Sequence, residues 1–190
     1  FVKVMNLFLK EKKLPLIDVK QYKRCFEFPL INYYSRLGFD FNEESFEELG
    51  VRFIDQYKKH RFLANLFPGI KNLLAWLNNS GCSLFVVSAQ ENSLLSSAVK
   101  HYNLNDFFVD CRGVDNLFAF KKIEIAKQLK QDFIGKRDQV FVVGDTLHDL
   151  EVAEAIGATP VLVGYGHYAS VRLVGNGCPV IPSVNFLKKF

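Results

Sequence analysis

Between Gln139 and Ala155 the chain reads QVFVVGDTLHDLEVAEA, and the spacing of its apolar residues changes at Gly144. Val140, Phe141, Val142 and Val143 form a short continuous run, the pattern of a strand buried on both faces. Beyond Gly144, Leu150, Val152, Ala153 and Ile156 recur at helical spacing. A buried strand feeding directly into a helix is half of a βαβ unit. The same alternation extends through the chain from residue 67. Ile70, Leu73, Leu74 and Leu77 mark a helix closed by Gly81, and SLFVV over 83–87 predicts a buried strand. A helix follows through Leu94, Leu95, Ala98 and Val99, then a weaker strand over 107–109 and a helix over 121–129. Strands over 160–163 and 179–181 and a last helix from Ser183 complete the series. This order predicts an α/β fold: an open, Rossmann-like parallel sheet with helices on both faces.

Residues 1–66 follow another rule and contain no buried-strand pattern. Val4, Leu7 and Phe8 share a helical face, and Asp18 is placed to cap a second helix. A third helix is predicted over 28–37, with Gly38 as its stop. Phe46, Leu49, Phe53, Ile54 and Tyr57 stripe a longer helix from near Asn42 to the basic run Lys58, Lys59, His60 and Arg61. That run suits a helix C-terminus, and a phosphate-ester tail is its other use. The pattern therefore divides the chain into a small all-helical domain, 1–66, and an α/β core, 67–190.

Composition narrows the class. At 190 residues there is room for one sizeable core with a small accessory domain. A net charge of +4 is too mild to argue for nucleic acid. Cys25, Cys82, Cys111 and Cys178 include no CxxC pair, which excludes a disulfide framework or zinc site and suits free thiols in a reducing cytoplasm. No apolar run approaches the length of a membrane span. The expectation is a cytoplasmic monomer or homodimer that binds neither nucleic acid nor membrane.

Three strand ends carry candidate chemistry, and sheets of this kind bind ligands just beyond the carboxyl ends of their strands. Asp145 and Asp149 lie at the first. Two crowded carboxylates need a compensating cation, and Mg²⁺ is commonly held by one or two carboxylates with water and substrate phosphate. The plainer alternative is a helix cap at Asp145 and a macrodipole partner at Asp149. Ser88 ends the second strand and is followed by Ala89 and Gln90; its hydroxyl and nearby N–H groups suit a phosphate, or else Ser88 simply caps the next helix. Lys121 and Lys122 open a helix after the GVDNLFAF loop, either as a cation for phosphate or as a solvated face.

Taken in this order, FPGIKNLLAWLNNSG, SLFVVSAQ, DNLFAFKKIEIAK and VFVVGDTLHDLEVAEAIGA resemble the haloacid dehalogenase superfamily, specifically its phosphoglycolate-phosphatase-like members with a small helical cap. The resemblance implies Ser88 as the phosphate-binding hydroxyl, Lys122 or its neighbour Lys121 as the motif lysine, and Asp145 and Asp149 as magnesium-site acids. It implies a Mg²⁺-dependent phosphatase that hydrolyses a small-molecule phosphate ester through an aspartyl-phosphate. The family's first motif, a DxDGT-like strand end that carries the nucleophile, has no counterpart here: Asp18, Asp40 and Asp55 all lie in the helical part. In this family that strand lies between the Ser88 and Asp145 strands. The expectation is therefore an upstream segment of roughly twenty residues, one strand with its loop and a helix start. A non-catalytic binding or regulatory protein and a metal-independent dehalogenase are the alternatives.

Overall fold

The computed structural model describes residues 1–115, 122–133 and 139–189. It opens with four helices: α1 (Val2–Glu11), α2 (Val19–Cys25), α3 (Leu30–Arg36) and α4 (Phe46–His60). Asp18 and Gln21 close a capping box on α2, as the position of Asp18 predicts. A second box, Ser45 with Glu48, sets the start of α4 at Phe46 instead of near Asn42. Asn42 is drawn away, bonding Asp40 Oδ1 through its backbone and side-chain nitrogens. α3 begins at Leu30, two residues later than the pattern suggests, with Pro29 at its N-cap. Gly38, at φ +95°, supplies the left-handed residue that stops it.

Val4, Met5, Phe8 and Leu9 of α1 pack with Tyr22, Phe26, Tyr33, Tyr34, Leu49 and Phe53 in one aromatic-rich core. Leu7, expected on the buried face, is 48% exposed, because Met5 and Leu9 complete that face instead. The same core takes in Leu162, Tyr168 and Leu173 from the far end of the chain. Ala169 N donates to Lys23 O at 3.0 Å, and Arg172 Nη1 to Phe26 O at 2.5 Å. The helical part is thus bolted to the loop after β4.

The remainder alternates: α5 (Ile70–Asn79), β1 (Phe85–Glu91), α6 (Asn92–His101), β2 (Asp110–Val114), α7 (Lys122–Phe133), β3 (Phe141–Gly144), α8 (Leu147–Ile156), β4 (Thr159–Val163) and β5 (Val180–Ile181). Every strand pair is parallel, with helices on both sides. Three boundaries depart from the sequence pattern. β2 is the polar DCRGV segment, while of the apolar residues before it Phe107 closes a 3₁₀ turn, Asn105–Phe107, and Val109 N donates to Leu84 O at 2.8 Å. An edge strand tolerates polar residues, and Asp110 and Arg112 pair along it at 2.7 Å. β1 runs on to Glu91, which pairs with Val114 across an irregularity. The final segment, Val184–Lys189, is a 3₁₀ helix.

Among the described residues the strands form two sheets, β1–β2 and β3–β4–β5. β1 and β3 each have a hydrogen-bonded neighbour on one side only. The two sheets are held together by α7, α8 and a small core in which Val87 of β1 meets Val140, Val142, Ala126, Val152 and Ile156. β3 is not buried on both faces as its apolar run predicts: Phe141 is 37% and Val143 47% exposed.

Candidate active site

The tip of β3 is a tightly packed turn. Gly144 ends the strand, Thr146 caps α8 and Asp149 sits at the third helical position, closing a capping box. A Cβ at residue 144 would collide with the Asp149 side chain, so glycine is required for that carboxylate to fold back over the strand end. Asp149 Oδ2 accepts from Asp145 N and Thr146 N, both at 2.9 Å, and from Thr146 Oγ1 at 2.8 Å. Its Oδ1 accepts from Lys122 Nζ at the start of α7. Burial alone would raise the Asp149 pKa, but the Lys122 charge and the bonds from Lys122 and Thr146 outweigh it and hold the carboxyl below its usual range. The side chains of Lys122 and Asp149 are only 14% and 6% exposed, so the pair is a buried one.

Asp145 faces the other way. Its Oδ2 accepts from His167 N at 2.5 Å, and Gly166 leaves the space its carboxylate fills. The loop after β4 therefore completes the strand-end site. His167 in turn joins the helical part: the Tyr22 hydroxyl, whose pKa burial pushes up, shares a hydrogen bond with His167 Nδ1 at 2.5 Å. The His167 ring stacks on Phe26 at 5.0 Å, and Lys23 Nζ donates to Tyr165 O at 2.8 Å. Sequence reasoning missed Thr146, Gly166, His167 and Tyr22. Gly164 and Gly166 just beyond β4 were the available signal; Tyr22, 145 residues from His167, offered none.

Ser88 lies inside β1, and its Oγ accepts from Gln90 N at 3.1 Å. The helix that follows has Glu91 at its N-cap, without a side-chain cap bond, so Ser88 does not cap it. Asn92 Oδ1 instead ties β1 to β2, accepting from Gly113 N at 3.0 Å. Val87, one residue before Ser88, packs against the same small core as Val140 and Val142. Lys122 and Asp149 are thus in contact and Asp145 flanks them, while the hydrogen bond of Ser88 Oγ is with Gln90. Lys121 lies outside the described residues.

The donor chemistry discriminates between the two acids. A carboxylate has about four lone-pair sites, and Asp149 already receives four donors. Asp145 keeps Oδ1 without a hydrogen-bond partner among the described residues, a hard oxygen ligand of the kind Mg²⁺ prefers. Among the described residues no group of three or more His, Cys, Asp or Glu converges. The residues present fit an ion held by one carboxylate and completed by water and phosphate.

Comparison with known proteins agrees with this architecture. A family model described as haloacid dehalogenase-like hydrolase matches residues 1–163. Phosphoglycolate phosphatase of Pseudomonas putida is 24% identical over 129 residues, 67% of this chain and 47% of that protein. Tyrosine-protein kinase PtkA of Mycobacterium tuberculosis is 27% identical over 126 residues, 65% of this chain and 43% of that protein. The chain spans about half the length of these curated relatives. Among solved structures, a haloacid dehalogenase-like family protein from Streptococcus pneumoniae superposes with a TM-score of 0.84 at 20% identity, covering 98% of this chain and 88% of that one. The structure of PtkA gives 0.80 at 21%, covering 99% and 88%. These neighbours share the fold. No helix among the described residues is long and apolar enough to cross a membrane.

Proposed function

We propose that this chain, which belongs to the haloacid dehalogenase-like hydrolases, acts as a Mg²⁺-dependent phosphatase on a small-molecule phosphate monoester, with the attacking aspartate supplied by a segment outside residues 1–190. The observation that carries this reading is the buried Lys122–Asp149 pair beside Asp145 at the tip of β3. Holding a lysine among carboxylates at a strand end places a fixed positive charge where a phosphoryl group gathers negative charge. The free edges of β1 and β3 support a strand between them, and such a strand would bring its aspartate to the same end.

In this scheme the aspartate oxygen attacks phosphorus and the ester oxygen departs, leaving an aspartyl-phosphate that water then hydrolyses. Lys122 stabilises the charge that develops on the phosphoryl oxygens. Asp149 fixes the Lys122 ammonium and the turn, and acts through them. The Ser88 hydroxyl, with the backbone of Ala89 and Gln90, orients a phosphate oxygen. Asp145 would hold Mg²⁺, which when bound neutralises phosphate charge. The helical part covers the opening and excludes bulk water. We place the protein in the cytoplasm as a monomer or homodimer, without nucleic-acid or membrane partners.

The test is phosphate release from p-nitrophenyl phosphate by the full-length protein, with and without EDTA. Metal-dependent release lost in Lys122→Met supports the assignment. EDTA-insensitive turnover of a haloacid would favour the dehalogenase. The 190 residues contain no Asp-x-Asp; finding none in the adjoining coding sequence would favour a binding protein.

A further inference from the structure

A half-open cavity lies at the seam between the helical and α/β parts. It measures about 310 Å³, at the lower end of the range for sites that take small organic ligands. Its walls come from three places: Tyr57 and Arg61 at the end of α4, Phe62 and Phe67 in the connector, and Tyr102 on α6. Gln90 at the end of β1 forms a fourth side. The seam is stitched by side chains. Gln90 Nε2 donates to Tyr57 Oη at 3.2 Å, Tyr102 Oη to Ala64 O at 2.6 Å, and Arg61 Nη1 to Leu94 O at 2.7 Å. Arg61 therefore clamps α4 to α6, and does more than complement a helix C-terminus. Its guanidinium stands 4.3 Å over the Phe62 ring, which stacks at 3.9 Å on His101.

We infer that this cavity receives the organic group of the substrate, and that the group is aromatic. The inference rests on the phosphatase reading and deepens it. Three observations carry it. First, the cavity adjoins the phosphate end of β1, since Gln90, which lines it, bonds Ser88 Oγ through its own N–H. Second, the lining offers four aromatic rings and a small floor at Ala98, surfaces that favour a flat apolar group by offset or edge contact. Third, Arg61 lines it and no carboxylate does among the described residues, so the wall offers nothing to pair with a cationic group. A two-carbon acid would leave most of this volume empty.

The test uses the full-length protein and two phosphonates that cannot be hydrolysed. Calorimetry should show 4-nitrobenzylphosphonate binding at least tenfold more tightly than methylphosphonate. Ala98→Phe, which fills the floor, should cut that ratio at least fivefold, and Ala64→Leu on the connector serves if the first variant fails to fold. A wild-type ratio near one, or a ratio unchanged in a folded filled variant, overturns the inference. The outcomes separate the two readings. Ester turnover without aromatic preference sinks the cavity assignment alone, whereas aromatic preference without turnover of any ester sinks the phosphatase reading alone.

Discussion

The helical part and the α/β part of this molecule are finished to different degrees. In the first, Leu9 and Tyr33 are 0% exposed and Met5 is 1% exposed. In the second, no residue of β1 is fully buried, and β3 shows Phe141 and Val143 to solvent. The difference follows from how each element satisfies its backbone. A helix closes its own hydrogen bonds and needs only an apolar stripe covered. A central strand depends on neighbours at both edges. Among the described residues the helices share one closed core with Leu162, Tyr168 and Leu173, while the sheet lies in two pieces whose open edges at β1 and β3 flank the candidate site. The candidate site and the open strand edges coincide there, which is where the proposed strand with its aspartate would pair.

Charge removal should separate the two parts most sharply. Lys122→Met leaves Asp149 charged and buried, at a cost of about 3–5 kcal/mol. Arg36→Met in the helical part, whose partner Glu27 sits across an exposed pair, should cost about 0–1 kcal/mol. Urea midpoints of the two variants decide, and equal losses would contradict the picture of a buried pair. Next in size, Leu9→Ala should cost about 2–5 kcal/mol by opening a cavity in the closed core. Acid should act on the site: the Asp149 pKa is depressed in the folded state, so its contribution is present above the ordinary carboxylate value of about 3.9 and is lost as pH falls through the folded value. The stability gap between wild type and Lys122→Met should accordingly narrow below pH 4, read from urea curves followed through Trp76, the one tryptophan. The smallest effect is the most pointed. Val143→Ala in a chain limited to residues 1–190 should fall within about 0.5 kcal/mol of wild type, as surface changes do. In a longer protein carrying the proposed strand beside β3, neighbouring side chains on that sheet face should make it cost clearly more.

Much of this could be read in the residues, and the exceptions have physical causes. The β3–α8 unit was legible because a β-branched run, Gly144 and a helical repeat fall in succession. The pattern alone predicts one open sheet; the gap between the two sheets is expected only through the family resemblance, which places a strand between the Ser88 and Asp145 strands. β2 was misplaced because an edge strand can be polar, and an apolar FFV nearby was the louder signal. The length of β1 was hidden by its irregular pairing with Val114. At the site, the acids and the Lys121–Lys122 pair could be nominated by position, and Lys122 is preferred only through the family resemblance. The division of labour between Asp145 and Asp149 could not, because it depends on which lone pairs the Thr146 turn consumes. Contacts such as Tyr22 with His167 join segments with no shared pattern, and only the packed chain brings them together.

The central claim is that Asp145 works at the metal and phosphate while Asp149 works through Lys122. It is tested most directly by phosphate release from p-nitrophenyl phosphate by the full-length Asp145→Asn protein, measured across a Mg²⁺ titration. The account predicts a loss of about a hundredfold or more at limiting Mg²⁺, with the fold intact by circular dichroism. Wild-type turnover and an unchanged Mg²⁺ requirement in that variant would contradict it.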